Sequence, residues 1–271
     1  MTWKDLAKRV LGSERASEIA YRRRLHAYGE TYLKPMGWQH SVVRQRSVNA
    51  DGPVPWITYP ALRQLERVVQ PHHRVFEYGA GHSSLWWAAR VREIVSVEHD
   101  PAWAAEIGAA APANLTVVSR PAGAPAATDD EARLQAFFDR HPEPPRSGQF
   151  ARDVDDGLEW GPFTAYLAEI ARYPAGTFDI VVVDGMARAP AAWLAAAHVA
   201  PDGFIVFDNA DRWQYGPGYE ALADAGFARL DFFGTRPILV DESCTAIYAR
   251  SLAWARARLD VPRHQPSDLR W

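Results

Sequence analysis

Val75-Phe76-Glu77-Tyr78-Gly79-Ala80-Gly81-His82-Ser83-Ser84 is the stretch that decides the fold. Its apolar start predicts a buried strand, and the residues from Ser83 onward predict the start of a helix. Glycines at 79 and 81 allow a tight turn between the two and let the backbone pass close to a ligand. The carboxylate of Glu77 would repel a pyrophosphate and attract a cationic amino group. The stretch therefore predicts a strand, a turn and a helix that serve a positively charged ligand.

A second acid supports a nucleoside ligand at this turn. The run Ile94-Val95-Ser96-Val97 predicts another buried strand, and it ends in Glu98. In Rossmann-like units an acid in this place, about twenty residues further along the chain, hydrogen-bonds the ribose hydroxyls. A nicotinamide or flavin site is the alternative, but its fingerprint has a third glycine where this chain has Ser84. The two acids with the Gly-x-Gly turn favour S-adenosylmethionine.

The pattern Glu77-Tyr78-Gly79-Ala80-Gly81 resembles the first motif of class I S-adenosylmethionine-dependent methyltransferases, Glu/Asp-x-Gly-x-Gly, and the resemblance extends from about Pro55 to Ser251. It implies an α/β fold, a Rossmann-like seven-stranded sheet in the order 3-2-1-4-5-7-6 with the last strand antiparallel. It also implies S-adenosyl-L-methionine as cofactor. The expected cofactor-binding residues are Glu77, Tyr78, Gly79, Gly81, His82, Ser83, Glu98, His99 and Asp184.

The composition is that of an ordinary enzyme: 271 residues, 48% hydrophobic and 23% charged, with a formal net charge of -3. This weakly acidic balance gives no basic footprint for nucleic acid. No apolar run reaches the ~20 residues that span a membrane, and the amino terminus lacks the apolar core of a signal peptide. The single cysteine, Cys244, fits a reducing compartment. We expect a cytoplasmic protein that binds neither membranes nor nucleic acid, with a homodimer left open.

The chain divides into an amino-terminal helical extension, 1–55, and a Rossmann-like domain, 56–271. Within the extension we expect residues 2 to about 33 to be helical, with Thr2 and Ser13 as N-caps before Asp5 and Ala16. In the domain, strands alternate with helices, which predicts a parallel sheet covered on both faces. The expected strands are 74–78, 93–98, 115–119, 178–184, 203–208, 227–233 and 244–249, the last two paired antiparallel.

The alternation is interrupted at about 120–160, a stretch rich in proline and aspartate. A structureless loop of this length is uncommon inside a compact domain, so we expect a short helix near 131–140. The insertion is interpreted as a lid or substrate wall over the cofactor site, the alternative being a surface insertion without a role. Trp160 and Trp213 are candidates for an aromatic substrate wall.

Two further strands end in polar residues, the first in Asp184 and the second in Asp208-Asn209. Ligands of open α/β sheets bind at the carboxyl ends of the strands, so all three residues are expected at the catalytic site. The combination looks like the metal site of catechol and caffeoyl-CoA O-methyltransferases. That resemblance implies Asp184, Asp208 and Asn209 as ligands of Mg²⁺, which prefers oxygen donors.

One departure from that family concerns the base. Its lysine, three residues after the first aspartate, is Ala187 here, and the neighbouring Arg188 is too basic to accept a proton. The alternative is that Asp184 contacts the cofactor or substrate while Asp208 and Asn209 hold the acceptor without a metal. Arg188 itself could hold an anionic acceptor or pair with these acids.

The sequence thus predicts methyl transfer to a small-molecule acceptor, most simply to a hydroxyl group in secondary-metabolite or sugar modification. Three alternatives stay open: an N-methyltransferase without metal, a nicotinamide-binding oxidoreductase, and a non-catalytic binding module that keeps the cofactor fold. The acidic strand ends favour an enzyme, because a mere scaffold has no need to place Asp184, Asp208 and Asn209 together.

Overall fold

A computed structural model describes residues 13–141 and 160–251. The predicted cap at Thr2, most of the proline-rich second half of the insertion and the chain after Ser251 lie outside the described residues. None of the helices in the two described ranges has the length and apolarity needed to cross a bilayer.

Seven strands and nine α-helices make up the described fold. The strands are β1 Arg74–Tyr78, β2 Glu93–Glu98, β3 Leu115–Ser119, β4 Phe178–Val183, β5 Val199–Asp208, β6 Ala228–Gly234 and β7 Ser243–Ala249. The helices are α1 Ser13–Tyr28, α2 Trp38–Arg44, α3 Tyr59–Val68, α4 His82–Ala88, α5 Pro101–Ala109, α6 Thr128–Arg140, α7 Thr164–Ala168, α8 Arg188–His198 and α9 Gly216–Asp224. A π-helical turn, Gly29–Leu33, extends α1, and 3-10 turns flank α7 and precede α9.

The strands form one sheet in the order β3-β2-β1-β4-β5-β7-β6. Five strands run parallel, and β7 pairs antiparallel with both β5 and β6. This confirms the predicted order and the Rossmann-like methyltransferase fold. The central strands are buried on both faces, as expected for nearly continuous apolar runs under helices.

Side chains of the sheet alternate between two cores. On β4, Val181 and Val183 face a cluster with α6 to α9, whereas Ile180 and Val182 face a second cluster with α3 and α4. The alternation follows from the two-residue period of a strand. Because helices cover both faces of the sheet, we expect a ligand to bind at the carboxyl ends of the parallel strands.

One helix was not predicted. α2 lies after the helix expected in the amino-terminal extension, and it begins after Gly37, whose φ of 88° is left-handed. At its start the indole Nε1 of Trp38 donates to the carbonyl of Leu239, 2.7 Å away. A helix this short depends on tertiary packing more than on local preference, so its partner far along the chain explains why the local sequence did not reveal it.

The insertion contains the predicted helix, which begins at Thr128, three residues before the expected Glu131. Its Phe137 ring packs 5.5 Å from the rings of both Trp160 and Trp193. Trp160 is 2% exposed within this cluster, so the prediction that it forms a substrate wall is wrong. Trp213 is 60% exposed, and the lid role of the insertion stays a prediction.

Candidate functional site

The turn after β1 is shaped around Gly79. This residue has a φ of +94°, and a Cβ there would lie 2.7 Å from the carbonyl oxygen of Asp184 and 2.8 Å from Cα of Gly185. Gly79 N–H donates to Val97 O at 2.9 Å, and Asp184 N–H donates to Tyr78 O at 3.1 Å. Both backbone conformation and packing therefore require glycine here, and the turn is locked to the neighbouring strand ends.

Gly81 is different, because its backbone is extended and a Cβ would meet no atom closer than 3.7 Å. The fold alone does not require glycine at this position. The absence of a side chain at Gly81 suits close passage of a ligand. Nearby, the indole Nε1 of Trp103 donates to Ala80 O at 2.7 Å and holds the turn from the side of α5. No sequence pattern indicated this contact.

Glu77 lies beneath the turn and has no exposed surface. Its Oε2 accepts hydrogen bonds from the hydroxyls of Ser84 and Ser96, and Ser84 Oγ in turn accepts from Gly81 N–H at 3.0 Å. Its Oε1 is buried and has no hydrogen-bond partner. Burial raises the pKa of the Glu77 carboxyl to about 7, against the opposing effect of the serine hydroxyls. One oxygen of this carboxyl is thus left for a donor.

The remaining residues predicted around the turn divide. The Tyr78 side chain is fully buried in the core, where its hydroxyl donates to Leu167 O at 2.8 Å, so only its backbone can border a ligand. Ser83 is buried, and its hydroxyl lowers the pKa of Glu77. His82 is partly exposed at the start of α4, and burial lowers its pKa.

Glu98 ends β2, the strand beside β1, and is 3% exposed. Its Oε1 accepts from the N–H groups of His99 at 2.9 Å and Asp100 at 2.8 Å. The same oxygen lies 2.8 Å from His99 Nδ1. The His99 ring in turn packs edge-on against Phe163, with centroids 5.8 Å apart. These contacts of Oε1 hold the carboxyl at the strand end.

The predicted acidic residues do meet, but around an arginine. Arg188 Nη2 lies 3.1 Å from Asp184 Oδ1, and Nη1 donates to Asn209 Oδ1 at 2.9 Å and to Asp208 O at 2.5 Å. Arg188 Nε donates to Gly185 O at 3.0 Å. Of the two roles considered for Arg188, the ion pair with the acids is the one found.

The Mg²⁺ site predicted at Asp184, Asp208 and Asn209 does not fit this arrangement. A divalent cation would have to lie between the oxygens of these residues, where the guanidinium of Arg188 already lies. The cation and the guanidinium, both positively charged, would then be close together in a buried site. Asp208 Oδ1 also accepts from Thr245 Oγ1 at 2.6 Å. Within residues 13–141 and 160–251, no group of three or more His, Cys, Asp or Glu is arranged to hold a metal ion.

The two carboxyls differ in accessibility. The Asp184 side chain is 15% exposed and the Asp208 side chain 2%. Burial, followed by the charge of Asp208, raises the pKa of Asp184 well above its ordinary value, and Arg188 opposes this shift. Burial also raises the pKa of Asp208. Asp184 is thus the carboxyl that a ligand can reach, and it takes up a proton more readily than an ordinary aspartate.

No family model and no curated protein matches the chain. Among solved structures, it is similar to a TehB-like SAM-dependent methyltransferase from Corynebacterium glutamicum, with 14% identity over 70% of this chain and 86% of that chain and a TM-score of 0.41. A methyltransferase-like protein from Silicibacter pomeroyi is 21% identical over 70% of this chain and 84% of that chain, with a TM-score of 0.39. Precorrin 8W decarboxylase from Methanobacterium thermoautotrophicum is 17% identical over 76% and 97%, with a TM-score of 0.43. At such identities the similarity concerns the fold, and the reaction has to be argued from the site.

Proposed function

We propose that the protein transfers the methyl group of S-adenosylmethionine to a hydroxyl group of a small-molecule acceptor. The observation that carries the proposal is the buried Glu77 Oε1, which has no hydrogen-bond partner and lies beneath the glycine-rich turn, where Gly81 has no side chain to obstruct a ligand. An unmatched buried carboxyl oxygen is costly, and an ammonium group is the donor that satisfies it best. The amino group of S-adenosylmethionine supplies such a donor.

The neighbouring residues fit the rest of that ligand. Glu98 accepts from the N–H groups of His99 and Asp100 through Oε1, and we assign Oε2 as the acceptor for the ribose hydroxyls. His99 is expected along the adenine. When bound, S-adenosylmethionine supplies an electrophilic methyl group on a sulfonium. A nicotinamide dinucleotide fits less well, because its pyrophosphate would meet the charge of Glu77.

Asp184 is assigned as the general base. An alcohol is a poor nucleophile at neutral pH, and a carboxylate of raised pKa at its side accepts the hydroxyl proton in the transition state. The acceptor oxygen bonds to the methyl carbon while the bond from that carbon to sulfur breaks, and sulfur keeps the electron pair. Arg188 holds Asp184 in place through the pair at 3.1 Å. A neutral amine acceptor would need no such base, which favours oxygen over nitrogen.

Glu98→Gln tests cofactor binding. We expect S-adenosylhomocysteine to bind the intact protein and the variant to bind it more weakly by about 1–3 kcal/mol, the range for losing a charged hydrogen bond. Titration calorimetry measures both. Glu93→Gln is the matched control, because Glu93 lies at the opposite end of the same strand. No binding by the intact protein would remove the methyltransferase proposal, and binding of NAD instead would favour the oxidoreductase.

Glu77→Gln tests the ammonium contact through the number of protons released when the ligand binds. With a pKa of about 7 against an ordinary 4.5, Glu77 is partly protonated near pH 6.5, and a bound ammonium favours the charged form. Binding of S-adenosylhomocysteine should therefore release up to about one proton at this pH. The release is measured as a dependence of the binding heat on the ionisation enthalpy of the buffer. The glutamine variant keeps an acceptor for both serines and should release none. An equal release by the variant contradicts the contact.

The raised pKa of Glu77 also makes the stability of the ligand-free protein depend on pH. Because the folded pKa of Glu77 lies above the unfolded value, the folded protein holds a proton that the unfolded chain has lost between pH 4.5 and 7. The contribution of this group is therefore full below pH 4.5 and declines as the pH rises to 7, by about 3 kcal/mol. Urea denaturation of the wild type and of Glu77→Gln at both pH values isolates this decline.

Asp184→Asn tests the base. We expect the rate of methyl transfer to a responsive acceptor to fall roughly 10²-fold, with the affinity for S-adenosylhomocysteine nearly unchanged. Radiolabelled S-adenosylmethionine and a panel of matched phenols, sugars and amines provide the assay. Full transfer by the variant to an amine would replace the hydroxyl proposal with N-methylation, and full transfer to a hydroxyl would remove Asp184 as base.

A further inference from the structure

A second arginine lies at the same edge of the sheet, on the loop between β6 and β7. β7 runs antiparallel to both β5 and β6, so β6 ends at Gly234 on the edge where β5 ends at Asp208. Arg236 follows two residues after that end. Burial raises the pKa of Asp184 and of Asp208, and the positive charge of Arg236 is among the groups that oppose this rise. Arg236 thus lies within electrostatic reach of the proposed acceptor site.

Arg236 is less well satisfied than Arg188. Its side chain is 13% exposed, and its Nε is buried without a hydrogen-bond partner. Its Nη2 lies 3.3 Å from Oδ2 of Asp241, a side chain that is itself 59% exposed. In Arg188, by contrast, Nε and both Nη atoms have protein partners. A buried N–H without an acceptor is costly, so Arg236 has an N–H donor that the protein leaves without an acceptor.

The loop that carries Arg236 is held in one conformation. Ile238 has a φ of 73°, which is rare for a β-branched residue. Its N–H donates to Ser41 Oγ at 2.9 Å, and Trp38 Nε1 donates to Leu239 O at 2.7 Å. On the other side Tyr59 N–H donates to Thr235 O at 3.0 Å. Strained backbone held by its surroundings is concentrated at ligand sites, and here it fixes the residue beside the unsatisfied donor.

We propose that Arg236 is an anion-binding residue of the acceptor site and that the acceptor carries a carboxylate or a phosphate. Nε and a neighbouring Nη present two parallel donors, the arrangement that recognises a carboxylate or phosphate in two places at once. Arg188 cannot serve in this way, because the protein already engages it. Assignment of the anion to the methyl acceptor rests on the proposed function; the anion site itself does not.

The test follows the Nε–H resonance of Arg236 by nuclear magnetic resonance, assigned by its loss in Arg236→Lys. Benzoate and inorganic phosphate are titrated separately, and the stronger response identifies the anion class. We expect a saturable shift with at least one of them. Affinities from the backbone resonance of Ile238 should fall at least tenfold in Arg236→Gln. Asp241→Asn, which removes the competing carboxylate, should tighten binding severalfold.

Arg92→Gln is the control for overall charge, since Arg92 is exposed and far along the chain from this loop; its affinity should equal that of the wild type. Thermal melting checks that each variant is folded, and Arg236→Lys, which keeps the charge, should bind severalfold more weakly if the glutamine variant does not fold. An unmoved Nε–H resonance, or equal affinities in Arg236→Gln and the wild type, would overturn the proposal. Calorimetry with S-adenosylhomocysteine on the same samples separates the two proposals. If S-adenosylhomocysteine binds but the anions do not shift the Arg236 Nε–H resonance, only the anion site is removed. If the anions shift that resonance but S-adenosylhomocysteine does not bind, only the methyl-transfer proposal is removed.

Discussion

Arg188→Met is expected to lower the free energy of unfolding by roughly 3–5 kcal/mol at pH 7. The change leaves Asp184 and Asp208 together at the strand ends without the guanidinium that lies 3.1 Å and 3.8 Å from their carboxyl oxygens. Methionine matches the length of the arginine stem, so the cost reflects charge more than volume. Urea denaturation at fixed salt measures it.

The loss should shrink as the pH falls. Burial already raises the pKa of both carboxyls, and removing the cation raises it further, so the folded variant binds more protons than its unfolded chain. Its stability relative to the wild type therefore increases on acidification, and Asp184→Asn in the same chain should restore part of the loss at pH 7. Arg92→Met, at an exposed arginine, should stay within about 0.5 kcal/mol. A loss that is small and independent of pH contradicts the assigned ion pairs.

Gly79→Ala and Gly81→Ala form a matched pair with the second large effect. A Cβ at Gly79 meets backbone at 2.7 Å in a left-handed conformation, whereas one at Gly81 meets nothing within 3.6 Å. We expect Gly79→Ala to destabilise the fold by roughly 2–4 kcal/mol, from backbone strain and overpacking together. Gly81→Ala should cost less than about 1 kcal/mol, since alanine adopts its extended backbone without strain.

For cofactor affinity, in contrast to stability, we expect a large effect from Gly81→Ala. If a ligand passes close to Gly81, its alanine variant folds normally yet binds S-adenosylhomocysteine at least tenfold more weakly, a loss of about 1.4 kcal/mol. Denaturation and calorimetry on both variants separate the two roles. Equal stability of the two variants would contradict the packing around Gly79, and unchanged affinity in Gly81→Ala would move the ligand away from this turn.

The strands were the most predictable part of the fold. The bounds of β1, β2 and β3 agree with the sequence prediction, because short apolar runs bounded by turn residues leave few alternatives. β5 instead begins at Val199, four residues before its expected start, in a segment with Pro201 and Gly203 that sequence patterns assign to a turn. Pairing of Phe178 with Val199 explains the early start. Pairing between strands cannot be predicted from the local sequence of one strand.

The candidate site was predictable in its members but not in its arrangement. The carboxyl ends of buried strands identified Asp184, Asp208 and Asn209 as neighbours. Arg188, four residues after Asp184, has the spacing of an ordinary helix-surface ion pair, so nothing local showed that it enters the site. Arg236 escaped for a related reason, since its importance comes from a missing partner at Nε, which only a three-dimensional arrangement can reveal.

The ties from Trp38 and Ser41 to the β6–β7 loop join segments that are 201 and 197 positions apart in the chain. The two segments are therefore coupled structurally, and under the proposals above they would change together with the acceptor, while the turn around Gly79 would change with the cofactor. Anyone grafting a new loop between β6 and β7 would have to transplant α2 with it. Across related sequences, the same coupling should leave a trace as paired substitutions between these distant segments, with the glycine-rich turn varying independently of both.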